Sequence, residues 1–185
     1  NNMNTGRVDG AAAGASNSLA LAFGGEVAPP TGKTESYDGT SWTEVADMNT
    51  ARYGQGGAGT QTAALTFGGT PPETGATESW NGSSWTEVNN LGTARDNLTG
   101  FGKSYTASVA AGGGNAPGIT GKTETWNGTN WTEVNDMTIV THNNAGIGTA
   151  TAALSAGSQQ TPTNVQSWNG TNWSNETSIS TGRAL

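Results

Sequence analysis

Short segments in which apolar and polar residues alternate run along the whole chain, and turn-forming residues separate them. Between residues 54 and 88 a run of small residues comes first, and three short segments follow at 64–67, 77–80 and 85–88. Asn81-Gly82 lies between the last two segments, and Asn-Gly favours a tight hairpin because both positions tolerate positive φ. No window repeats its apolar residues with the period of a helix over three turns. The pattern predicts an all-β fold with four short strands in this stretch.

This four-strand pattern occurs four times along the chain. A double glycine follows the second segment in three copies, Ala156-Gly157 stands at the matching place in the fourth, and these landmarks lie 44 residues apart. Two aromatic residues five positions apart then follow in every copy. The residues of this signature are Gly24, Gly25, Gly68, Gly69, Gly112, Gly113, Tyr37, Trp42, Trp80, Trp85, Trp126, Trp131, Trp168 and Trp173. Repetition with this period predicts a β-propeller of four four-stranded antiparallel blades.

We expect one domain over residues 1–185. The predicted blades are approximately 5–47, 50–90, 93–136 and 140–177, and residues 178–185 resemble the beginning of a further blade. Three arrangements stay open at this point: part of a longer propeller, a closed four-bladed ring, or two chains that share one larger ring. A β-trefoil ranks well behind these because it needs three repeats.

The first strand of each copy consists largely of glycine and alanine, as in residues 10–14, 54–57 and 145–148. Innermost propeller strands converge on the central axis, where large side chains do not fit. Tryptophans from the outer strands would fill the gaps between neighbouring blades, each burying a large apolar area. This arrangement explains how a chain with few aliphatic residues could still form a core.

The signature resembles the kelch-repeat propellers, in which a strand ends in Gly-Gly and a Tyr or Trp, a tight turn and a Trp follow. Phe23-Gly24-Gly25, Tyr37 and Trp42 show this order in the first copy. The fourth copy departs from the pattern at the double glycine, and three copies carry Trp where kelch units usually carry Tyr. The resemblance implies a propeller and says little about activity, because kelch propellers range from protein-binding adaptors to oxidases. The Asn-, Thr- and Gly-rich texture is also similar to repetitive propellers of bacteriophages and marine microbes.

Charge and composition narrow the classes of partner. The chain carries a net charge of −7, so neither duplex nucleic acid nor insertion into an anionic membrane is expected. It contains no cysteine, which excludes disulfides, thiolate metal sites and a cysteine nucleophile. No apolar run approaches the length of a membrane span.

No motif predicts catalysis, a cofactor or a metal. Residues 54–59 spell the dinucleotide-binding glycine pattern, but a strand and not a helix follows them. The copper chemistry of kelch-type oxidases needs a cysteine-linked tyrosine, which this chain lacks. Glu35, Glu78 and Glu124 recur at equivalent positions, and residues repeated in every blade are normally structural, so we expect them to cap strand ends or pair with arginine. We expect a protein that is not an enzyme.

Basic residues open the innermost strands. Arg7, Arg52 and Arg95 occupy matching positions, His142 lies near the matching place in the fourth copy, and Arg183 follows in the tail. A ring of guanidinium groups at the channel mouth could bind a carboxylate or sulfate. The alternative is that each arginine pairs with an acid of a neighbouring blade or stacks on a tryptophan. A single histidine without ligand partners predicts no metal site.

The proline-bearing loops are the candidate binding surface. Residues 26–33, 70–76, 114–122 and 158–164 share one face with the segments that lead into each blade, here called the loop face. These loops differ between copies while the Asn-Gly turns on the opposite face, the turn face, barely change, as expected if the loops bind a ligand or simply drift. The candidate binding residues are Lys33, Pro71, Glu73, Asn115, Lys122, Gln159, Arg52, Arg95 and His142.

The sequence therefore predicts a non-enzymatic structural or recognition module. We expect a viral or extracellular surface protein that displays its loops to a glycan or a protein, because polar, charge-poor loops suit sugar hydroxyls. The alternative is an intracellular kelch-type adaptor that binds a peptide across the channel mouth. Self-association to complete a larger ring is a further expectation.

Overall fold

The computed structural model describes residues 2–115 and 118–182. Four antiparallel sheets of four strands each follow one another along the chain, and a small hairpin interrupts the third. The molecule is an all-β, four-bladed propeller, as the repeat predicts. No helix of the described residues is long and apolar enough to cross a membrane.

Each blade is built from strands that are consecutive in sequence. Blade 1 contains β1 (Ala11–Ser16), β2 (Leu19–Phe23), β3 (Thr34–Tyr37) and β4 (Trp42–Val45). Blade 2 contains β5 (Gly56–Thr60), β6 (Ala63–Phe67), β7 (Thr77–Trp80) and β8 (Trp85–Val88). Blade 3 contains β9 (Thr99–Ser104), β10 (Ala107–Ala111), β13 (Thr123–Trp126) and β14 (Trp131–Val134), with the hairpin β11 (Gly114–Asn115) and β12 (Gly118–Ile119) between β10 and β13. Blade 4 contains β15 (Ala145–Thr149), β16 (Ala152–Ala156), β17 (Val165–Trp168) and β18 (Trp173–Asn175).

The outer hairpin of every blade closes in the same way. In blade 2, Trp80 and Trp85 are opposite each other across the hairpin, with ring centroids 5.4 Å apart. The side chain of Asn81 accepts hydrogen bonds from the backbone N–H groups of Ser83 and Ser84, both at 2.9 Å. The residues at the position of Asn81 in the other blades make the same pair of bonds and are Asp38, Asn127 and Asn169.

Three apolar cores lie between successive blades. Between blades 1 and 2, Leu21 and Phe23 pack against Trp80 and Trp85, and Met48 from the connecting segment completes the cluster. Equivalent clusters join blade 2 to blade 3 and blade 3 to blade 4. At each junction the indole N–H of the later blade donates to a threonine hydroxyl of the earlier one: Trp85 to Thr34, Trp131 to Thr77 and Trp173 to Thr123, at 2.9–3.1 Å.

The first glycine of each pair is required by the approach of the next blade. Gly68 has a φ of 70°, and its N–H donates to Ala76 within the blade. A Cβ at Gly68 would lie 2.6 Å from the carbonyl oxygen of Arg95, which leads into blade 3. Both the left-handed backbone and this contact exclude a side chain.

The innermost strands β1, β5, β9 and β15 surround an axial channel of about 430 Å³ that is lined mainly by glycine and alanine. Neighbouring innermost strands pack together from β1 to β5, β5 to β9 and β9 to β15. Among the described residues no apolar core joins blade 4 to blade 1. The propeller therefore has three packed junctions, and its two terminal blades each present one unpartnered face.

Candidate functional site

The repeated arginines form buried ion pairs with the repeated glutamates. Arg52 Nη1 lies 2.9 Å from Glu78 Oε1, and both side chains are almost fully buried. Glu78 also accepts the backbone N–H of Asn49 at 2.7 Å and that of Thr50 at 3.3 Å. The corresponding pairs in the other blades are Arg7 with Glu35 and Arg95 with Glu124, each at 2.5 Å. Each pair anchors the segment leading into a blade to the third strand of that same blade.

Of the two alternatives for the arginines, the ring of guanidinium groups at the channel mouth is not found among the described residues. Arg52 is 1% exposed and Arg95 is fully buried, so neither offers its charge to a ligand. Each arginine pairs with an acid of the blade it enters, not with an acid of a neighbouring blade. The physical reason is the glutamate on the third strand, which gathers the arginine and two N–H groups into one buried cluster. Arg183 lies outside the described residues.

Burial and hydrogen bonding compete in these clusters. Burial alone would raise the pKa of Glu35, but the N–H groups of Asn4 and Thr5 together with Arg7 outweigh it and lower that pKa. For Arg52, burial lowers the guanidinium pKa and the attraction of Glu78 opposes the shift. Two of the three guanidinium nitrogens of Arg52, Nε and Nη2, have no hydrogen-bond partner. The Arg52 pair is therefore held together mainly by its single contact with Glu78.

His142 does not occupy the arginine position, which corrects the sequence alignment by one residue. The N–H of Gly69 donates to the carbonyl of Arg95, and the N–H of Gly113 donates in the same way to Thr141. Thr141 is thus the fourth-blade equivalent of the arginines, and it is 1% exposed. Its blade carries Gln166 at the glutamate position, so the cation and the anion are replaced together.

His142 instead lies on the loop face beside a second polar group. Its Nε2 is 2.9 Å from Gln159 Oε1, and its Nδ1 is buried without a partner. Both residues are candidates from the sequence, and the structure brings them together. Asp96 holds the position in blade 3 that His142 has in blade 4.

Sequence reasoning missed Asp96. Burial raises the pKa of its carboxyl group, and the amide of Asn97 and the charge of His142 offset only part of this rise. The backbone of Asp96 bonds that of Gly114 in both directions, at 2.9 and 2.7 Å, which fixes the residue next to the hairpin of blade 3. The available signal was an acid directly after Arg95 where the other blades have Val8, Tyr53 and His142. A partly desolvated carboxyl group in such a cluster is typical of functional sites.

The mouth of the channel on the loop face is framed by four equivalent residues in the left-handed conformation. Asp9, Asn97 and Asn143 each have a φ of 51°, and Gly54 has a φ of 64°. Their backbones are linked in sequence by N–H to carbonyl bonds of 2.9, 2.6 and 2.9 Å. Asp, Asn and Gly are the residues that adopt this conformation most easily. These four residues line a cavity of about 140 Å³ at the mouth.

The other candidate residues are spread around the loop face. Lys33 pairs with Glu44 at 3.0 Å and Lys122 with Glu133 at 2.5 Å, each within its own blade and at the surface. Pro71 lies between two cis peptide bonds in the second loop, and Glu73 is exposed two residues later. Asn115 ends β11, and its side chain lies outside the described part of the molecule. The structure therefore groups only His142 and Gln159 among the predicted binding residues.

No group of three or more His, Asp or Glu side chains in the described part of the chain is arranged to hold a metal ion.

Comparison with known proteins supports the architecture. No protein-family model and no curated protein matches the sequence. A solved structure described as "Structure of YjhT" is similar, with a TM-score of 0.78 and 11% identity over 97% of this chain and 68% of that chain. At this identity the likeness shows the fold alone. In all, 219 solved chains match, and a fold so widely shared does not specify a function.

Proposed function

We propose that the protein is a non-enzymatic recognition module that binds a glycan or a protein ligand through its loop face. The observation that carries the proposal is the contrast between the two faces. On the turn face, four hairpins repeat one geometry and one set of side-chain to backbone hydrogen bonds. On the loop face, the four loops have four different conformations on the same frame.

The loop conformations differ in specific ways. In the first loop Glu26 forms β-bridges with both Val8 and Pro30, and in the second Thr70 forms one with Tyr53. The third loop forms the β11–β12 hairpin, and the fourth is closed by hydrogen bonds between Ser158 and Thr161. Such diversity on a rigid scaffold is the usual architecture of binding loops.

The Asp96–His142–Gln159 group is where we place the centre of recognition. It combines a carboxyl group, an imidazole and an amide within one region of the loop face, and these groups offer both donors and acceptors to hydroxyl or peptide groups. The repeated glutamates cannot play this role because they are enclosed in the buried ion pairs. The charge-poor texture of the loops supports a setting on a virion or outside the cell.

A glycan array and a peptide library, probed with the labelled protein, test this function. We expect saturable binding to a defined set of sugars or peptides. The variants His142→Ala and Gln159→Ala should weaken it at least tenfold. Ser83→Ala, an exposed change on the turn face, is the matched control and should leave binding unchanged.

Two outcomes would contradict the proposal. One is the absence of binding in both libraries with folded protein, and the other is an equal loss from the loop-face and turn-face variants. Binding to peptides alone would assign the loop face to a protein ligand and remove the glycan from the proposal.

A further inference from the structure

The three junctions between blades share one packing feature, in which a large aromatic ring lies against a residue that has no side chain. At each of them a phenylalanine ring of the earlier blade packs against a glycine on the innermost strand of the later blade. A Cβ placed on Gly100 would lie 2.7 Å from the ring of Phe67, so the glycine is needed to admit the ring. The three pairs are Phe23 with Gly57, Phe67 with Gly100 and Phe101 with Gly146.

The free face of blade 4 is a junction face without a partner. The pairing of β15 with β16 places Ile147 opposite Leu154, as Phe101 lies opposite Val109 in blade 3. Phe101 and Val109 are 3% and 0% exposed, whereas Ile147 and Leu154 are 75% and 44% exposed. Blade 4 thus presents the apolar half of a fourth junction to solvent.

The free face of blade 1 is the other half of the same kind of junction. Tyr37 and Trp42 stand where Trp168 and Trp173 stand in blade 4, with ring centroids 5.0 Å apart. A groove of about 380 Å³ opens on this face, and its lining includes Met3, Ala12 and Trp42. The opposite half of such a junction fills this space in the three packed cases.

The two free faces fit one another in size. Ala12 occupies the glycine position of the innermost strand, which leaves less room than Gly57, Gly100 or Gly146 provides. The inserted ring comes from the end of the second strand at the first two junctions and from the innermost strand at the third, where Phe101 holds the position of Ile147. Compared with this third junction, the side chain that blade 4 presents is smaller. The larger residue on the innermost strand of blade 1 and the smaller side chain inserted from blade 4 compensate each other in volume, as volume-conserving changes do in a core.

We propose that blade 1 of a second copy of this chain docks on blade 4, so that the molecules associate head to tail. Blades 4 and 1 of one chain form no such core among residues 2–115 and 118–182, and each face carries the complement of the other. A contact between two different faces is heterologous, and it closes into a ring where the rotation permits. Two copies would bring eight blades together, which lies within the range of known propellers.

The connecting segment of this junction would be assembled from both copies. The N–H of Met48 donates to the carbonyl of Gly32 in blade 1, and the N–H of Ile179 donates in the same way to the carbonyl of Thr163 in blade 4. Asn49 bonds Glu78 in blade 2, and Asn4 bonds Glu35 in blade 1 in the same way. Ile179 of one copy therefore takes the place of Met48, and Asn4 of the other copy takes the place of Asn49. Residues 180–182 of the first copy and 2–3 of the second would overlap, so one of these ends has to move aside.

One hydrogen bond is missing from this junction, and it provides a gain-of-function test. Blade 4 has Val165 where the other blades have the threonine that accepts the indole N–H. Trp42 would therefore meet no acceptor. Val165→Thr should supply that acceptor and tighten association about fivefold, the value of one hydrogen bond.

Sedimentation velocity and native mass spectrometry over a concentration series test the proposal with the full chain. We expect concentration-dependent association of the wild type that is lost in Ile147→Asp and in Ala12→Glu, two changes at exposed positions. Ile119→Asp, the same type of change at an exposed residue of the blade 3 loop, is the matched control and should associate normally. Removal of residues 180–185 should strengthen association because it frees the connecting position.

Mixing the two defective variants gives the decisive result. Ile147→Asp chains keep an intact blade 1 face and Ala12→Glu chains keep an intact blade 4 face, so the mixture should form a heterodimer through one junction. A wild type that stays monomeric at all concentrations, with or without residues 180–185, would overturn the proposal. So would association that survives both single variants, or variants that fail to complement each other.

Discussion

The substitution Glu78→Gln tests how much the buried ion pairs contribute to the fold. Glutamine keeps the shape of the side chain, but its single amide oxygen can accept only one of the N–H groups of Asn49 and Thr50, which bond different oxygens of Glu78. It removes the charge opposite Arg52, which is 1% exposed and whose Nε and Nη2 are already without partners. Breaking a buried pair in this way leaves an uncompensated charge and costs about 3–5 kcal/mol. A domain of this kind is stable by about 5–15 kcal/mol, so the loss should be large.

The fourth blade suggests the compensating change. It carries Thr141 and Gln166 where blade 2 carries Arg52 and Glu78, and it folds without the charges. The double variant Arg52→Thr/Glu78→Gln copies this solution into blade 2. We expect it to be more stable than Glu78→Gln alone by about 1–2 kcal/mol, because a neutral pair replaces a buried unpaired cation.

Urea unfolding at pH 7, followed by tryptophan fluorescence, measures both variants against the wild type. Glu44→Gln, which removes an exposed carboxylate from a surface pair with Lys33 in blade 1, is the isosteric control and should unfold close to the wild type. A loss below about 1 kcal/mol for Glu78→Gln would refute the reasoning. A double variant destabilised by the full sum of its two single variants would refute it as well, because the charges would then act independently.

Three further predictions concern single positions. Gly6→Ala should raise the free energy of unfolding by about 0.4–1 kcal/mol in urea unfolding, because a Cβ there meets nothing within 4 Å and blades 2 and 3 carry alanine at this position. Thr34→Val should cost about 1–3 kcal/mol in the same assay, because it leaves the buried indole N–H of Trp85 without an acceptor, and a neutral result would contradict this account. Burial raises the pKa of Asp96, so the charged form of this side chain destabilises the fold above that pKa. We therefore expect Asp96→Asn to be more stable than the wild type at pH 7. The difference should fade below pH 3.8, the ordinary pKa of an aspartate, and thermal unfolding at both pH values checks the sign.

The architecture could be predicted from the sequence because each structural requirement recurs as a residue at a fixed interval. The double glycines occur where the next connecting segment approaches the strand closely, as the contact between Gly68 and Arg95 shows. The Asn-Gly turns record the outer hairpins. Four repetitions of these local requirements specify four-stranded blades, and the structure confirms them.

The arginine partners and the register of His142 depend on contacts that a linear pattern does not contain. Alignment by the nearest basic residue placed His142 in line with Arg95, whereas the backbone bond from Gly113 shows that Thr141 has that place. The extra hairpin in the third loop changes the spacing and hides the shift. Asp96 was missed for a related reason, since its burial beside the hairpin of blade 3 and the charge of His142 that acts on it come from parts of the chain that are distant in sequence.

The departures of blade 4 from the repeat are of two kinds, and the distinction bears on the open junction. Thr141 and Gln166 lie within one blade and compensate each other there, which keeps the blade free of buried charge. Ile147 has no partner within its blade that explains its size or its exposure. Its complement is Ala12 on the free face of blade 1, which lines the same axial channel and stands where the other three blades carry glycine. Two solvent-facing positions that drift independently have no reason to change in compensating directions, whereas two halves of one interface do. The size match between Ile147 and Ala12 is therefore better explained by selection for contact than by relaxed constraint at a free edge.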